Sequence, residues 1–439
     1  MPEPRSLDAR YFPNVSPRAF YSPHDLAVHM KTDVFDHSRT SDEKYRLGWM
    51  AERLPILVHE YQHSVDHMST VVGRELLDAL MRALDGLAGK LEGEVSGLPL
   101  MLDYHDRQRR FYRRDYFTEI RRGYRPEGDG RPRWSWATSI GAGFDMSGRT
   151  DEGDPILFAR FTDEDQGVLV SRQPVTEAAL FETRAVHAEL DHDARAVAAL
   201  GEDSPEWERF NRRQQELFYD HKLTVYSAPA HMVASRAGAS DPTDAYRLAA
   251  RVAGIALNFT PGLKIDPDLP RRFAVGGPEV PGVVARTMRL LERLDPGFLF
   301  SAIVRAAPRF EGDDDAWLTE GLRQAGLPTQ QTVMEEAERR LILPTLSEPP
   351  RLFAVYMQCI AAGVGNLKRL RPSGGVLDFR RMSAIGTNAG PLAIPHVFLA
   401  NGIVQSSTIP VIDDEAQRLM VNASARLHEQ LQELIAACR

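Results

Sequence analysis

Residues 54–73 constrain this chain more than any other segment because, wound as an α-helix, they have two sides of opposite chemistry. Apolar residues recur at helical spacing on one side and polar residues gather on the other. The apolar side carries Leu57, Tyr61, Val65, Met68 and Val72. The polar side carries His59, His63, Asp66, His67 and Thr70. Lys, Arg and Glu dominate on helices that only face solvent, so the pattern favours a helix that packs on a core and presents histidines to a site. A surface helix is the alternative.

The same segment contains the pattern His-Glu-x-x-His at residues 59–63. Side chains four residues apart lie one above the other on a helix, so His59 and His63 can bind one metal ion. Glu60 is turned by about 100° from His59, which lets it reach a water on that metal without binding the metal itself. The spacing therefore predicts a metal site with a carboxylate base beside it.

A zinc site of this kind needs a third protein ligand, and Glu182 is the predicted one. The predicted helix over residues 174–200 places Glu182 on a face whose other members, apart from Glu189, are small or apolar. A buried carboxylate must be paired or bind a metal, so an ion pair with an arginine is the alternative for Glu182. Glu177 points to nearly the opposite side of this helix.

Several nearby polar residues are candidates for supporting roles. His67 follows His59 by eight residues, about 12 Å along a straight helix, so one metal ion cannot bind both ends of the row. His67 is therefore predicted to support the site or the fold rather than to bind the metal. Asp66 either orients the imidazole of His63 or faces solvent. If the metal site hydrolyses an amide, it also needs a hydrogen-bond donor to the developing oxyanion, and the sequence does not choose among three candidates. These are His187, Tyr226 and His231.

Two segments together resemble the zincin metallopeptidases of the gluzincin type. They are His59-Glu-Tyr-Gln-His63 followed by Ser69-Thr-Val-Val-Gly73, and Leu180-Phe-Glu182-Thr-Arg-Ala185 further along the chain. The likeness is to poorly characterised bacterial proteins with a His-Glu-x-x-His helix and a later Glu-x-x-Ala helix, and it covers about residues 50–75 and 174–190.

The resemblance implies a zinc ion held by His59, His63 and Glu182, with Glu60 as the catalytic carboxylate that activates a zinc-bound water. It also implies hydrolysis of a peptide bond. There is no His-x-x-Gly-x-x-His continuation, which speaks against metzincins. Position 186 is Val, where better-known gluzincins have an acidic residue four positions after the ligand Glu, and Glu189 is a possible substitute.

Composition limits the other classes of function. The chain has 61 acidic and 53 basic residues, a net charge of −8, which argues against a generally basic nucleic-acid binder. Residues 107–133 hold ten arginines with aromatic residues between them, a pattern that can also bind nucleic acid. Tyr112, Tyr116, Ile120 and Tyr124 recur at helical spacing, so we predict an amphipathic helix over 103–123 with these residues toward the core and keep nucleic-acid binding as the alternative. Two cysteines, the lack of a signal-peptide-like start and the lack of an apolar span lead us to expect a cytoplasmic protein without membrane association.

We expect a predominantly helical α+β protein. A zincin-like domain is predicted over residues 1–260, with extended segments or short helices up to residue 48, the motif helix beginning at about Pro55, and a small antiparallel sheet. The strands of that sheet are expected at Trp134–Ile140, Ile156–Phe161 and Gly167–Ser171. A Pro- and Gly-rich stretch at 258–282 predicts the boundary to a helical C-terminal region, 261–439. Three roles are open for this region: it recognises substrate, binds a partner or caps the fold.

These expectations add up to a zinc metallopeptidase acting on a protein or peptide substrate. The alternatives are a catalytically inactive zincin-like binding or regulatory protein, and a zinc hydrolase of a non-peptide amide. An intact His59, Glu60 and His63 favour the enzyme, because an inactive copy has no chemical reason to keep Glu60.

Overall fold

The computed structural model describes most of the chain. The described residues are 19–30, 43–88, 98–113, 116, 118–119, 121, 123–125, 133–144, 149–198, 201, 203–274, 280, 282–344, 352–377, 392–399, 402–405 and 414–438. Helices account for most of them, with small sheets beside the helices, as the α+β prediction requires. Among these residues no helix is long and apolar enough to cross a membrane.

The described residues form two compact units, and the first draws on 111–187 and 197–336. Its sheet is antiparallel, with strand order β3-β6-β5-β4, which confirms the small antiparallel sheet expected from the sequence. The strands are β3 (Thr118–Glu119), β4 (Trp134–Phe144), β5 (Thr150–Asp163) and β6 (Val168–Pro174). The helices are α5 (Pro205–Phe218), α6 (Thr224–Ala237), α7 (Pro242–Ala256), α8 (Leu269–Arg272), α9 (Val283–Glu292), α10 (Pro296–Ala306) and α11 (Asp314–Ala325).

The second unit draws on residues 16–110, 188–196 and 337–439. Its sheet has the order β1-β2-β7-β8, in which β2 and β7 are parallel and the other neighbours are antiparallel. The strands are β1 (Ala19–Ser22), β2 (Ala27–Met30), β7 (His396–Leu399) and β8 (Gly402–Gln405). The helices are α1 (Glu43–Ser69), α2 (Val71–Ala88), α3 (Leu98–Tyr112), α13 (Phe353–Leu370) and α14 (Asp414–Cys438).

Two helices belong partly to each unit, because the division passes through α4 (Glu177–Ala198) and α12 (Gln330–Ile342). Each unit also takes residues from both sides of position 260. The two compact units therefore do not coincide with the two segments on either side of the Pro- and Gly-rich stretch. The domains 1–260 and 261–439 stay a prediction.

The motif helix α1 begins earlier than the sequence indicates. It starts at Glu43 and continues through Pro55, so the expectation of a helix beginning at Pro55 is wrong. An internal proline costs a helix about 3 kcal/mol. Burial of Val58, Tyr61 and Met68 on the following turns offsets that cost, since each such side chain contributes about 1.5–3 kcal/mol.

The arginine-rich helix ends earlier than predicted. Helix α3 stops at Tyr112 rather than running to residue 123, and the chain then forms β3. Arg113 has φ 45°, a left-handed conformation that no α-helix contains. Its buried guanidinium binds both carboxylate oxygens of Asp154 at 2.5 and 2.8 Å. The helix therefore ends at Tyr112, where this ion pair between distant residues forms, although Tyr112 and Tyr116 have helical spacing.

Close backbone packing shapes the segment that follows the motif. The Thr70 hydroxyl donates to the carbonyl of Asp66 at 2.6 Å and accepts the N–H of Gly73 at 3.0 Å, which marks the break between α1 and α2. A Cβ at Gly73 would lie 2.2 Å from the Asp66 carbonyl oxygen. One at Gly363 of α13 would lie 2.1 Å from the carbonyl oxygen of Met68. Both positions therefore require glycine for close approach to α1.

Candidate metal centre

Helix α1 presents the two motif histidines from its less buried side. Val58, Tyr61 and Val65 are each about 1% exposed, which anchors the helix on the core of its unit. His59 and His63 are half-buried. Because the opposite face of the helix is fixed by packing, the positions of the two imidazoles follow from helical geometry.

The two imidazoles converge through equivalent atoms. Nε2 of His59 lies 3.2 Å from Nε2 of His63, and the ring planes are 79° apart. Two nitrogens bound to one zinc ion at about 2.05 Å with a tetrahedral angle lie about 3.3 Å apart. The observed distance therefore matches that of two ligands of one ion.

Helix α4 carries Glu182. The helix starts after Thr176, whose hydroxyl accepts the N–H of Ala179 at 3.0 Å and so caps the first turn. The predicted small and apolar face is buried in the structure, with Ala185 and Val186 at most 1% exposed. Glu182 itself is 6% exposed, an unusual position for a carboxylate.

His59, His63 and Glu182 each offer one ligand atom, and these atoms all lie within 4.8 Å of one another. Glu182 and Glu189 belong to the continuous helix α4, so the helix itself sets their spacing. Ligands of one zinc ion lie about 3.3 Å apart, so the carboxylate has to approach the imidazoles by at most about 1.5 Å.

Glu189 contacts the first histidine of the motif. Its Oε2 lies 3.3 Å from Nδ1 of His59, and both side chains are largely buried, with 14% and 12% exposure. Glu189 follows Glu182 by seven residues, which returns it to within about 20° of the same helix face. A carboxylate at this distance electrostatically favours the tautomer with its proton on Nδ1, which leaves the lone pair on Nε2, the atom that faces His63.

Glu60 is buried beside the histidines, with 7% exposure. Its Oε2 accepts the backbone N–H of Tyr21, in strand β1, at 2.7 Å. A charge-assisted hydrogen bond of this length stabilises the ionised carboxylate and fixes its orientation. The sequence offered no signal for this contact, because the donor is a backbone group.

Asp66 and its neighbour Gln62 form a buried pair. The Gln62 side-chain amide donates to Oδ1 of Asp66 at 2.8 Å, and its Oε1 accepts the N–H of Leu377 at 2.7 Å. Asp66 is fully buried, so the alternative that it faces solvent is wrong. The pair fastens the motif helix to the segment that follows α13.

His67, one turn after His63 on α1, is buried. Its Nδ1–H donates to the carbonyl of His63 at 2.8 Å, and its ring lies 5.3 Å from the ring of Tyr21. Burial lowers the pKa of His67 to about 4, so its imidazole is neutral at pH 7. The predicted supporting role agrees with this position.

The three candidate oxyanion donors occupy different environments. On α4, His187 is half-buried and turned by about 140° from Glu182. Tyr226 is half-buried in the first turn of α6. His231 is buried, and its Nε2–H donates to the carbonyl of Phe218 at 2.6 Å, so this donor already has an acceptor within the fold. The choice of an oxyanion donor stays a prediction.

Comparison of the chain with family models, with curated proteins and with solved structures finds no match. The case for a function therefore rests on the residues and their geometry.

Proposed function

We propose that this protein is a zinc-dependent metallopeptidase that hydrolyses a peptide bond in a protein or peptide, and that α1 and α4 form a zincin-like core. The observation that carries the proposal is the 3.2 Å approach of the two Nε2 atoms of His59 and His63, with the buried carboxylate of Glu182 within reach. The residue after His59, Glu60, is a second buried carboxylate.

The donor set favours zinc over other common ions. Two imidazole nitrogens and one carboxylate form the three-ligand set of several catalytic zinc sites, which keep a fourth position for water or substrate. Calcium and magnesium prefer ligand sets made only of oxygen. His59, His63 and Glu182 would thus hold zinc.

The residues of the chain have distinct tasks in this proposal. Zinc, when bound, supplies a Lewis acid that polarises the scissile carbonyl and acidifies water. Glu60 takes a proton from the attacking water on its carboxylate and later delivers it to the leaving amine. Glu189 keeps the proton of His59 on Nδ1, so that Nε2 retains its lone pair for the metal.

Metal analysis of the purified full-length chain tests the ligand set. After removal of metal with a chelator and reloading with zinc chloride, the wild type should retain stoichiometric zinc, whereas His59→Ala and Glu182→Ala should lose it. Glu177→Ala is the matched control, since Glu177 is an acidic residue of the same helix outside the cluster. Zinc retained by Glu182→Ala but lost from His59→Ala would refute Glu182 as the third ligand.

Proteolysis of fluorescein-labelled casein and of a mixture of quenched fluorescent peptides tests the reaction. Glu60→Gln should keep its zinc but lose turnover by a factor of about 10²–10⁴, the usual contribution of a general base. Equal turnover by the Glu60→Gln variant would refute the catalytic assignment. Bound zinc without any peptide hydrolysis by the wild type would refute the peptidase and favour a non-peptide amide or a binding role.

A further inference from the structure

Strand β1 approaches the motif helix through its free edge. Among the described strands, β1 pairs only with β2, and Tyr21 stands opposite Val28 in that antiparallel pair. The N–H of Tyr21 donates to Glu60 rather than to β2, so it is directed away from the sheet. In an antiparallel strand the N–H groups alternate in direction, so those of Phe20 and Ser22 face β2.

The side chain of Tyr21 is anchored on the same helix. It is 7% exposed, and its ring lies 5.3 Å from that of His67. His67 in turn is fixed by its hydrogen bond to the carbonyl of His63. The backbone of Tyr21 therefore contacts α1 at Glu60, about one turn before His63, and its side chain contacts α1 at His67, about one turn after His63.

We infer that strand β1 is a positioning element for the general base, with the Tyr21 N–H fixing the orientation of the Glu60 carboxylate through Oε2. This inference rests on the proposed function. A glutamate side chain has three rotatable bonds, and a general base must lie within hydrogen-bond reach of the proton it takes. A 2.7 Å bond from a packed strand restricts those rotations before substrate arrives. Tyr21 acts through Glu60, and the inference also gives His67 a task, since it supports the ring of Tyr21.

Amide hydrogen exchange in the metal-free protein tests the contact without any activity assay. An outward-facing N–H on an edge strand exchanges quickly unless it has another acceptor. The Tyr21 amide should exchange at least tenfold faster in Glu60→Ala than in the wild type, while the amides of Phe20 and Ser22 stay unchanged and report an intact strand. Equal exchange of the Tyr21 amide in both proteins would overturn the inference.

Replacement of the residue 21 amide by an ester removes only the N–H and keeps the tyrosine ring. We expect kcat to fall about 10- to 100-fold, with zinc content unchanged and KM within about twofold, because the lost bond affects the orientation of the base and not the binding of substrate. A merely structural role would lower thermal stability and leave kcat of the folded enzyme unchanged. The matched control is the same replacement at Ala19, whose N–H lies on the same side of β1 two residues earlier.

The outcomes separate this inference from the proposed function. A Glu60→Gln variant as active as the wild type would overturn the proposed function, and the positioning role with it. An inactive Glu60→Gln beside a residue 21 ester with wild-type kcat would overturn the positioning role alone. Equal losses of kcat in the esters at residues 19 and 21 would also overturn it, because they would show a general effect on the strand.

Discussion

His231 should make the stability of the fold depend on pH in a way that one substitution removes. Its ring is 6% exposed and packs against Trp134, Phe161 and Phe218, with centroids 5.4, 5.4 and 3.7 Å away. Burial lowers its pKa from 6.5 to about 4, although the hydrogen bond to the carbonyl of Phe218 acts in the opposite direction. The folded protein thus holds the imidazole neutral through a pH range in which the unfolded chain protonates it.

The sign and size of the effect follow from this pKa shift. Between pH 6.5 and 4 the unfolded state binds more protons, so the free energy of unfolding falls as the pH falls. The full contribution, present above pH 6.5, is about 3 kcal/mol, and about 2 kcal/mol of it is lost between pH 7.0 and 5.0. That is a large part of the 5–15 kcal/mol that stabilises a typical domain.

Urea unfolding followed by circular dichroism at pH 7.0 and pH 5.0 measures this contribution. Both the wild type and His231→Gln should be studied with a chelator present, so that zinc has no influence. Glutamine can still donate to the Phe218 carbonyl but does not titrate. The variant should be less stable than the wild type at pH 7.0 because the ring packing is lost. The difference in the free energy of unfolding between the two proteins should be about 2 kcal/mol smaller at pH 5.0. A gap that is the same at both pH values would refute the reasoning.

Three further outcomes are expected. Glu189→Gln should weaken zinc binding by about 10- to 100-fold, because the carboxylate that holds the proton on His59 Nδ1 is lost; an unchanged zinc affinity in a chelator competition would contradict this role. Gly363→Ala should lower stability by about 1–3 kcal/mol, since its Cβ would meet the carbonyl oxygen of Met68 at 2.1 Å; an unchanged melting temperature would show that α13 can shift freely. Asp154→Asn should cost about 3–5 kcal/mol, because Asp154 is buried between two arginine side chains; a urea midpoint equal to that of the wild type would rule this out.

The parts of the site that lie within one helix were accessible from the sequence. The spacing of His59 and His63 sets their common face, and the structure brings their Nε2 atoms together as that spacing requires. The same reasoning placed Glu182 on a buried face of α4, where the structure has it. Helical periodicity is a local property, so a few turns of sequence suffice to predict which side chains share a side.

Contacts between distant segments were not accessible in this way. The sheet beside α1 joins β2 to β7, more than 360 positions apart, through backbone hydrogen bonds that leave no residue pattern of their own. The end of α3, just before Arg113, depends on the ion pair of Arg113 with Asp154, a residue of strand β5. The start of α1 depends on packing of its later turns, which outweighs the local preference of Pro55.

The sequence by itself therefore determined the helical character of this protein, the common face of His59 and His63 on α1 and the choice of Glu182 and Glu189 as carboxylates on one face of α4. Tertiary structure alone decided that Glu189 meets His59 and that the Tyr21 N–H binds Glu60. The physical reason is that the side-chain periodicity of a helix follows from its local sequence, whereas the approach of two distant segments depends on the packing of the whole chain. Backbone groups such as the Tyr21 N–H are present in every residue, so only the folded structure shows which of them serve the site.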